Sequence, residues 1–157
     1  MRECHGDLHL RNICLLDSAP TIFDGVEFND EISCIDVLYD LAFLLMDLWR
    51  RDLRLHANAV FNEYMVRTTD VDAFCLLPLF LSCRAAVRAK TSATATKVQA
   101  DVSRRRELEV AARQYLELAQ VFLRPPRAAS RQASAPRPGR SSFAATSCAR
   151  RCSVWRR

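Results

Sequence analysis

Two short apolar runs, residues 13–16 and 21–23, flank the segment Asp17-Ser18-Ala19-Pro20. Turn-forming residues between short apolar runs predict a small β-hairpin. Residues 4–12 before it read as a polar loop, and residues 25–31 after Asp24 as another. From Ser33 the period becomes helical: Leu38, Leu41, Leu45 and Leu48 follow one stripe, while Ala42, Phe43, Leu44 and Met46 fill the other faces. A helix apolar nearly all round is a central, buried one. A second helix is predicted from Leu53, Ala57, Val60, Phe61 and Tyr64. A third covers about 71–92, with Pro78 either kinking it or marking its start. A fourth carries the amphipathic stripe Leu108, Ala111, Tyr115, Leu118 and Phe122. The expected fold class is mainly α with a small β-hairpin.

After residue 123 the pattern stops. Of the 34 residues 124–157, 26 are Arg, Ala, Ser or Pro, which predicts a disordered tail. The charge divides at the same place. Residues 1–123 hold 14 basic against 18 acidic residues, a net −4, whereas 124–157 hold nine arginines and no acid. The overall +5 therefore describes neither part. Gly6, Gly25 and Gly139 are the only glycines, too scattered for a dinucleotide fingerprint or a Walker loop. The longest apolar run, residues 41–46, falls far short of a membrane span, and Arg2, Glu3, Cys4 and His5 do not open a signal peptide. Seven cysteines at irregular spacing then read as free thiols in a reducing compartment, the cytoplasm by default.

The segment with chemistry in it is the first loop: His5-Gly6-Asp7-Leu8-His9, Asn12 five residues after Asp7, and Asp24 a hairpin's length further on. Taken singly, Asp7, Asn12 and Asp24 read as turn and capping residues. Taken together, residues 5–12 resemble the His-Gly-Asp-Leu-His-x-x-Asn motif of the aminoglycoside phosphotransferase family, relatives of choline kinases and protein kinases. Ile22-Phe23-Asp24 is similar to the stretch bearing that family's second metal-binding Asp, and Tyr39-Asp40-Leu41-Ala42 to its Asp-Leu-Ala stretch.

The resemblance covers residues 1–123 and implies the C-terminal lobe of a protein-kinase-like fold. It is nearest to members whose phosphotransferase domain precedes a P-loop kinase domain. The activity it implies is ATP- and Mg²⁺-dependent phosphorylation of a hydroxyl on a small molecule. Such chemistry needs a carboxylate to orient the attacking hydroxyl and accept its proton, and hard oxygen ligands for Mg²⁺. By resemblance Asp7 is the catalytic base, Asn12 and Asp24 hold Mg²⁺ and its nucleotide, and His5 and Asp40 support the loop. His9 and Glu27 lie near without an assigned role.

The family's N-terminal lobe, with its ATP-gripping Lys, has no counterpart before residue 5, and Lys90 and Lys97 fall on late helices. The expectation is a lone C-terminal lobe, inactive in isolation, whose Arg-rich tail reads as a frameshift. Such a lobe is also expected to expose the apolar floor of its nucleotide cleft. An alternative is a metal-dependent hydrolase using His5, Asp7 and His9. A third reading is a non-catalytic nucleic-acid binder acting through the tail, with no specific base readout. No membrane partner is expected. Cys34, Cys75 and Cys83 are expected to pack as small hydrophobes, and Trp49 and Phe80 to lie in the core.

Overall fold

The computed structural model describes residues 1–68 and 73–124. Within it the chain is mainly helical, with a small hairpin. The elements are β1 (Arg2–Glu3), β2 (Ile13–Leu16), β3 (Ala19–Ile22), α1 (Asp30–Ser33), β4 (Cys34–Ile35), α2 (Val37–Arg50), α3 (Arg54–Thr68), α4 (Leu77–Val98) and α5 (Val102–Leu123), with 3₁₀ turns at Leu10–Asn12 and Ala73–Leu76. The chain divides into Met1–Leu123 and Arg124–Arg157. The disorder and frameshift expected of the tail lie outside the described residues, as does its proposed contact with nucleic acid.

The hairpin pairs β2 with β3 antiparallel, Ile13 opposite Ile22 and Leu16 opposite Ala19. Its turn is tighter than the four residues expected. Asp17 and Ser18 alone make it, with φ of 50° and 65°. Two successive left-handed residues match the right-handed twist of the strands, so Ala19 and Pro20 join β3. Asp tolerates that region better than most side chains.

The central helix starts later than its period suggested. Residues 33–36 are not its first turn: β4 pairs with β1, Arg2 opposite Ile35, and Cys4 N–H donates to Ser33 O (2.8 Å). Asp36 then caps α2, its side chain accepting from Leu38 N (2.8 Å) and Tyr39 N (3.3 Å). At the other end Asp52, with φ 60°, takes the left-handed place usually filled by glycine. Asp52 N–H donates to Trp49 O and Leu53 N–H to Leu48 O, closing the helix and turning the chain into α3.

The core forms around α2, whose Leu38, Ala42, Leu45 and Met46 are fully buried. Against it pack Ala57 and Phe61 of α3 and the stripe Leu77, Leu81, Ala85 and Ala89 of α4. Pro78 stands in the first turn of α4, where its missing N–H costs nothing, so it starts the helix and does not kink it. The helix continues to Val98, six residues beyond expectation. Residues 99–101 then reverse the chain, and Asp101 caps α5 by accepting from Ser103 N (2.9 Å). Tyr115 and Ala119 are the buried positions of α5. Trp49 and Phe80 are half-buried rather than core residues. No described helix is long and apolar enough to cross a membrane.

Candidate functional site

Loop 5–12 runs across the face of α2, and two carboxylates of that helix hold its backbone. Asp40 Oδ2 accepts from His5 N–H (3.0 Å), and Asp47 Oδ2 accepts from Leu10 N–H (3.2 Å). Seven residues is close to two helical turns, so both carboxylates leave the same side of α2. Both are buried, and each is compensated by these bonds.

Between these anchors the chain needs a sharp bend, which Gly6 supplies with φ 78°. The Gly6 carbonyl is held from below by Arg84 of α4. That guanidinium donates to Gly6 O (3.3 Å) and Tyr39 O (3.1 Å) and pairs with Asp40 Oδ1 (3.5 Å). It also stacks 4.0 Å from the Tyr39 ring centroid and 5.0 Å from that of Phe43. Burial pushes the Arg84 guanidinium down from its ordinary value, and Tyr39, Asp40 and Asp7 oppose the shift. A buried cation of this kind ties three segments together: the loop, α2 and α4.

The hairpin closes on the same loop. Phe23 N–H donates to Asn12 O (3.0 Å), Val26 N–H to His5 O (2.9 Å), and His5 Nε2 donates to Phe23 O (2.8 Å). His5 is thereby turned toward the backbone next to Asp24, and a Cβ at Gly25 would rest 3.7 Å from its ring. Asp24 is exposed with φ 60°, a left-handed conformation that only a short polar side chain or glycine adopts readily.

Asp7 is the half-exposed carboxylate of the group, its side chain 47% accessible. His9 Nε2 lies 3.4 Å from Asp7 Oδ2. Asn12 Nδ2 donates to Asp7 O (3.1 Å) and reaches Asp7 Oδ2 at 3.5 Å. Asn12 is buried, and engaging Nδ2 leaves its amide Oδ1 as the atom offered to a ligand. Amide and carboxylate oxygens are hard donors of the kind Mg²⁺ takes, so Asn12 Oδ1 and the exposed Asp24 fit such an ion chemically. Glu27 is exposed and Lys90 and Lys97 are exposed on α4.

Asp7, His9 and Asn12 are thus brought into one group, and His5 and Asp40 into a second beneath it. The three-ligand cluster of His5, Asp7 and His9 is not assembled. His5 Nε2 is spent on Phe23 O, and among the described residues no group of three or more His, Cys, Asp and Glu stands ready for a metal. His56 is exposed on α3.

Three residues of the site escape a reading of the loop motif alone: Asp47, Arg84 and the role of His9. Asp47 carried a signal, since it repeats Asp40 at an interval of seven on an otherwise apolar helix. Arg84 carried one too, a charge inside the stripe Leu77, Leu81, Ala85 and Ala89.

Set beside known proteins, the chain is similar to uncharacterized proteins of Mycobacterium tuberculosis and Mycobacterium bovis. Each is 38% identical over 89 residues, 55% of this chain. The match spans 17% of each relative's length, so those proteins are several times longer than the segment they share. No family model matches the chain, and no solved structure matches it.

The cysteines depart from expectation. Cys4, Cys14, Cys34 and Cys83 are free thiols, whereas Cys75 is disulfide-bonded, so the reading of seven free thiols fails there. Cys34, Cys75 and Cys83 are exposed and do not serve as small core hydrophobes. Cys4 beside the site is held as a thiol: burial and the nearby Asp40 push its pKa up, and Sγ donates to Arg2 O (3.3 Å). A raised thiol is a poor nucleophile.

The hairpin exposes apolar side chains on both faces. Leu15 and Ile22 lie on one face and Leu16 on the other; with Phe23 they are 47–76% exposed, and Phe28 in the loop beyond is 87% exposed. Such apolar surface is expected to bind hydrophobic dyes. Replacing Leu15 and Leu16 together by Ser is expected to remove most dye fluorescence and leave the thermal midpoint within about 2 °C, since neither side chain reaches the core. Unchanged fluorescence in that variant contradicts the assignment of this surface.

Proposed function

We propose that residues 1–123 are the C-terminal lobe of a protein-kinase-like fold of the aminoglycoside phosphotransferase kind, and that its chemistry is transfer of a phosphoryl group from ATP to a small-molecule hydroxyl. The observation that supports this best is the state of loop 5–12. Its backbone is pinned at His5, Gly6 and Leu10 by Asp40, Arg84 and Asp47, while the Asp7 carboxylate stands free enough to meet a substrate. A loop rigid in its backbone and open at one carboxylate suits phosphoryl transfer, where positioning supplies most of the rate.

In this reading Asp7 orients the acceptor hydroxyl and takes its proton. Asn12, through Nδ2, fixes the direction of that carboxylate, and His9 holds its Oδ2 from the other side. Asn12 Oδ1 and Asp24 are the residues that would hold Mg²⁺, which when bound neutralises charge on the transferred group. His5, bonded to Phe23 O, sets the backbone from which Asp24 projects. In this reading the reaction draws on ATP, which suits a cytoplasmic setting.

The test is turnover of Mg²⁺–ATP by the chain joined to an N-terminal nucleotide-binding lobe of the same fold. The expected result is Mg²⁺-dependent release or transfer of the γ-phosphate. A joined protein that binds ATP and never cleaves it would contradict the proposal.

A further inference from the structure

Beside His9, the 3₁₀ turn, α2, α4 and α5 leave a small cleft with about 20 Å³ of volume. That is room for about one water, so an anion would rest at its mouth, against the side chains that line it. Four arginines do: Arg11 from the 3₁₀ turn, Arg50 and Arg51 from the end of α2, and Arg88 from α4. The one carboxylate there, Asp47, is already used. It accepts from Leu10 N–H (3.2 Å) and pairs with Arg51 Nε (3.4 Å).

Arg11, Arg50 and Arg88 have no carboxylate within salt-bridge reach among the described residues. Two of them nevertheless converge. Arg50 Cζ lies 4.3 Å from the Tyr115 ring centroid and Arg88 Cζ 5.8 Å from the same centroid. Arg50 also donates to Gln114 Oε1 (3.3 Å), and a bound anion would relieve the repulsion between like charges gathered around one ring. A second, independent observation points the same way. His9 is nine-tenths buried in the wall of this cleft, and its Nδ1 has no hydrogen-bond partner. With Nε2–H facing the Asp7 carboxylate, Nδ1 is the ring's acceptor; a buried acceptor without a partner is costly, and the P–OH of a singly protonated phosphate would satisfy it.

We propose that this cleft grips a phosphate group on the molecule whose hydroxyl is phosphorylated. The inference rests on the kinase reading and adds the substrate class to it. His9 bridges the two places: its Nε2 is 3.4 Å from Asp7 Oδ2, so an acceptor only a few atoms long spans both. Guanidinium forks suit oxyanions, and their excess positive charge disfavours a polycationic acceptor such as an aminoglycoside.

The test titrates the full chain with inorganic phosphate and, separately, with glycerol 3-phosphate, which carries both a phosphate and free hydroxyls. Saturable binding is expected, tighter for glycerol 3-phosphate. Arg88→Gln should weaken it about tenfold or more, the effect of losing one charge-assisted contact. Because Arg88 also packs on rings, Arg11→Gln on the exposed turn is the second variant, with the same expectation. Arg113→Gln, exposed on α5 outside the cleft, should leave binding unchanged. Equal losses in all three variants, or no saturation, would overturn the cleft. Equal affinity for the two probes would overturn the acceptor assignment, since the site would then take only the free anion. Mn²⁺, a paramagnetic stand-in for Mg²⁺, reads Asn12 and Asp24 separately. Phosphate binding lost with Mn²⁺ binding intact sinks this inference alone. Mn²⁺ binding lost with phosphate binding intact sinks the kinase reading, and the acceptor assignment with it.

Discussion

Replacing Asp7 by alanine is expected to lower phosphoryl-transfer turnover of the lobe-joined protein by about 10²–10⁴-fold, the usual contribution of a general base. The reasoning is geometric. Asp7 is the half-exposed carboxylate of the loop, and Asn12 Nδ2 and His9 Nε2 reach the same Oδ2, at 3.5 Å and 3.4 Å. That leaves Oδ1 for a substrate hydroxyl. Asp7→Asn should lose nearly as much, because an amide keeps the shape and cannot take the proton. KM for ATP should barely move in either variant, since Asn12 and Asp24 are untouched. A loss in kcat without a rise in KM marks an interaction made in the transition state. The loop itself should survive, because its anchors are backbone bonds to Asp40, Asp47 and Arg84. Turnover unchanged in Asp7→Ala would remove Asp7 from the chemistry.

The largest effect on stability is expected at Asp40. Its carboxylate is buried and serves two partners, His5 N–H at 3.0 Å and the Arg84 guanidinium at 3.5 Å. Asp40→Ala leaves a buried cation without its counter-charge, a loss of about 3–5 kcal/mol. That is a large part of the ~5–15 kcal/mol by which domains are stable. Arg84 retains its bonds to Tyr39 O and Gly6 O, which keeps the value nearer the low end of that range. The double variant Asp40→Leu with Arg84→Met should recover much of the loss, because neither charge is then stranded. Urea midpoints of the wild type, Asp40→Leu, Arg84→Met and the double variant close the cycle. A single-variant loss below about 1 kcal/mol would mean the pair is solvated and does not clamp the loop.

Much of the fold could be read from the chain, for reasons particular to each element. The stripe from Leu38 to Leu48 predicts a central helix because a helix apolar on every face has nowhere else to go. Asp17 and Ser18 mark the hairpin, but which two of four turn residues adopt the left-handed region depends on strand twist, which a list of turn formers does not show. The start of α2 was misplaced because Cys34 and Ile35 suit a helix as well as a strand. Their pairing with Arg2 and Glu3, more than thirty residues away, decides the matter. The reach of α4 to Val98 runs through threonines and alanines with no apolar period, and only packing on α5 makes it visible.

Of the candidate site, the loop residues Asp7, His9 and Asn12 were legible as a motif. The supports beneath them were not. Arg84 lies 78 residues from Gly6, whose carbonyl it holds, and no local pattern links the two. The arginines at Tyr115 come from two different helices and reach the same ring only in the folded chain.

The proposed function requires Asn12 and Asp24 to form a divalent-metal site beside Asp7. It is tested most directly by titrating Mn²⁺ into the full chain and following paramagnetic broadening residue by residue. The predicted result is early, saturable broadening at Asn12, Asp24 and the adjacent Asp7 and Phe23 signals, competed by Mg²⁺ and lost in Asp24→Asn. Broadening spread evenly over exposed carboxylates such as Glu63 and Glu107, and unchanged in that variant, would contradict it.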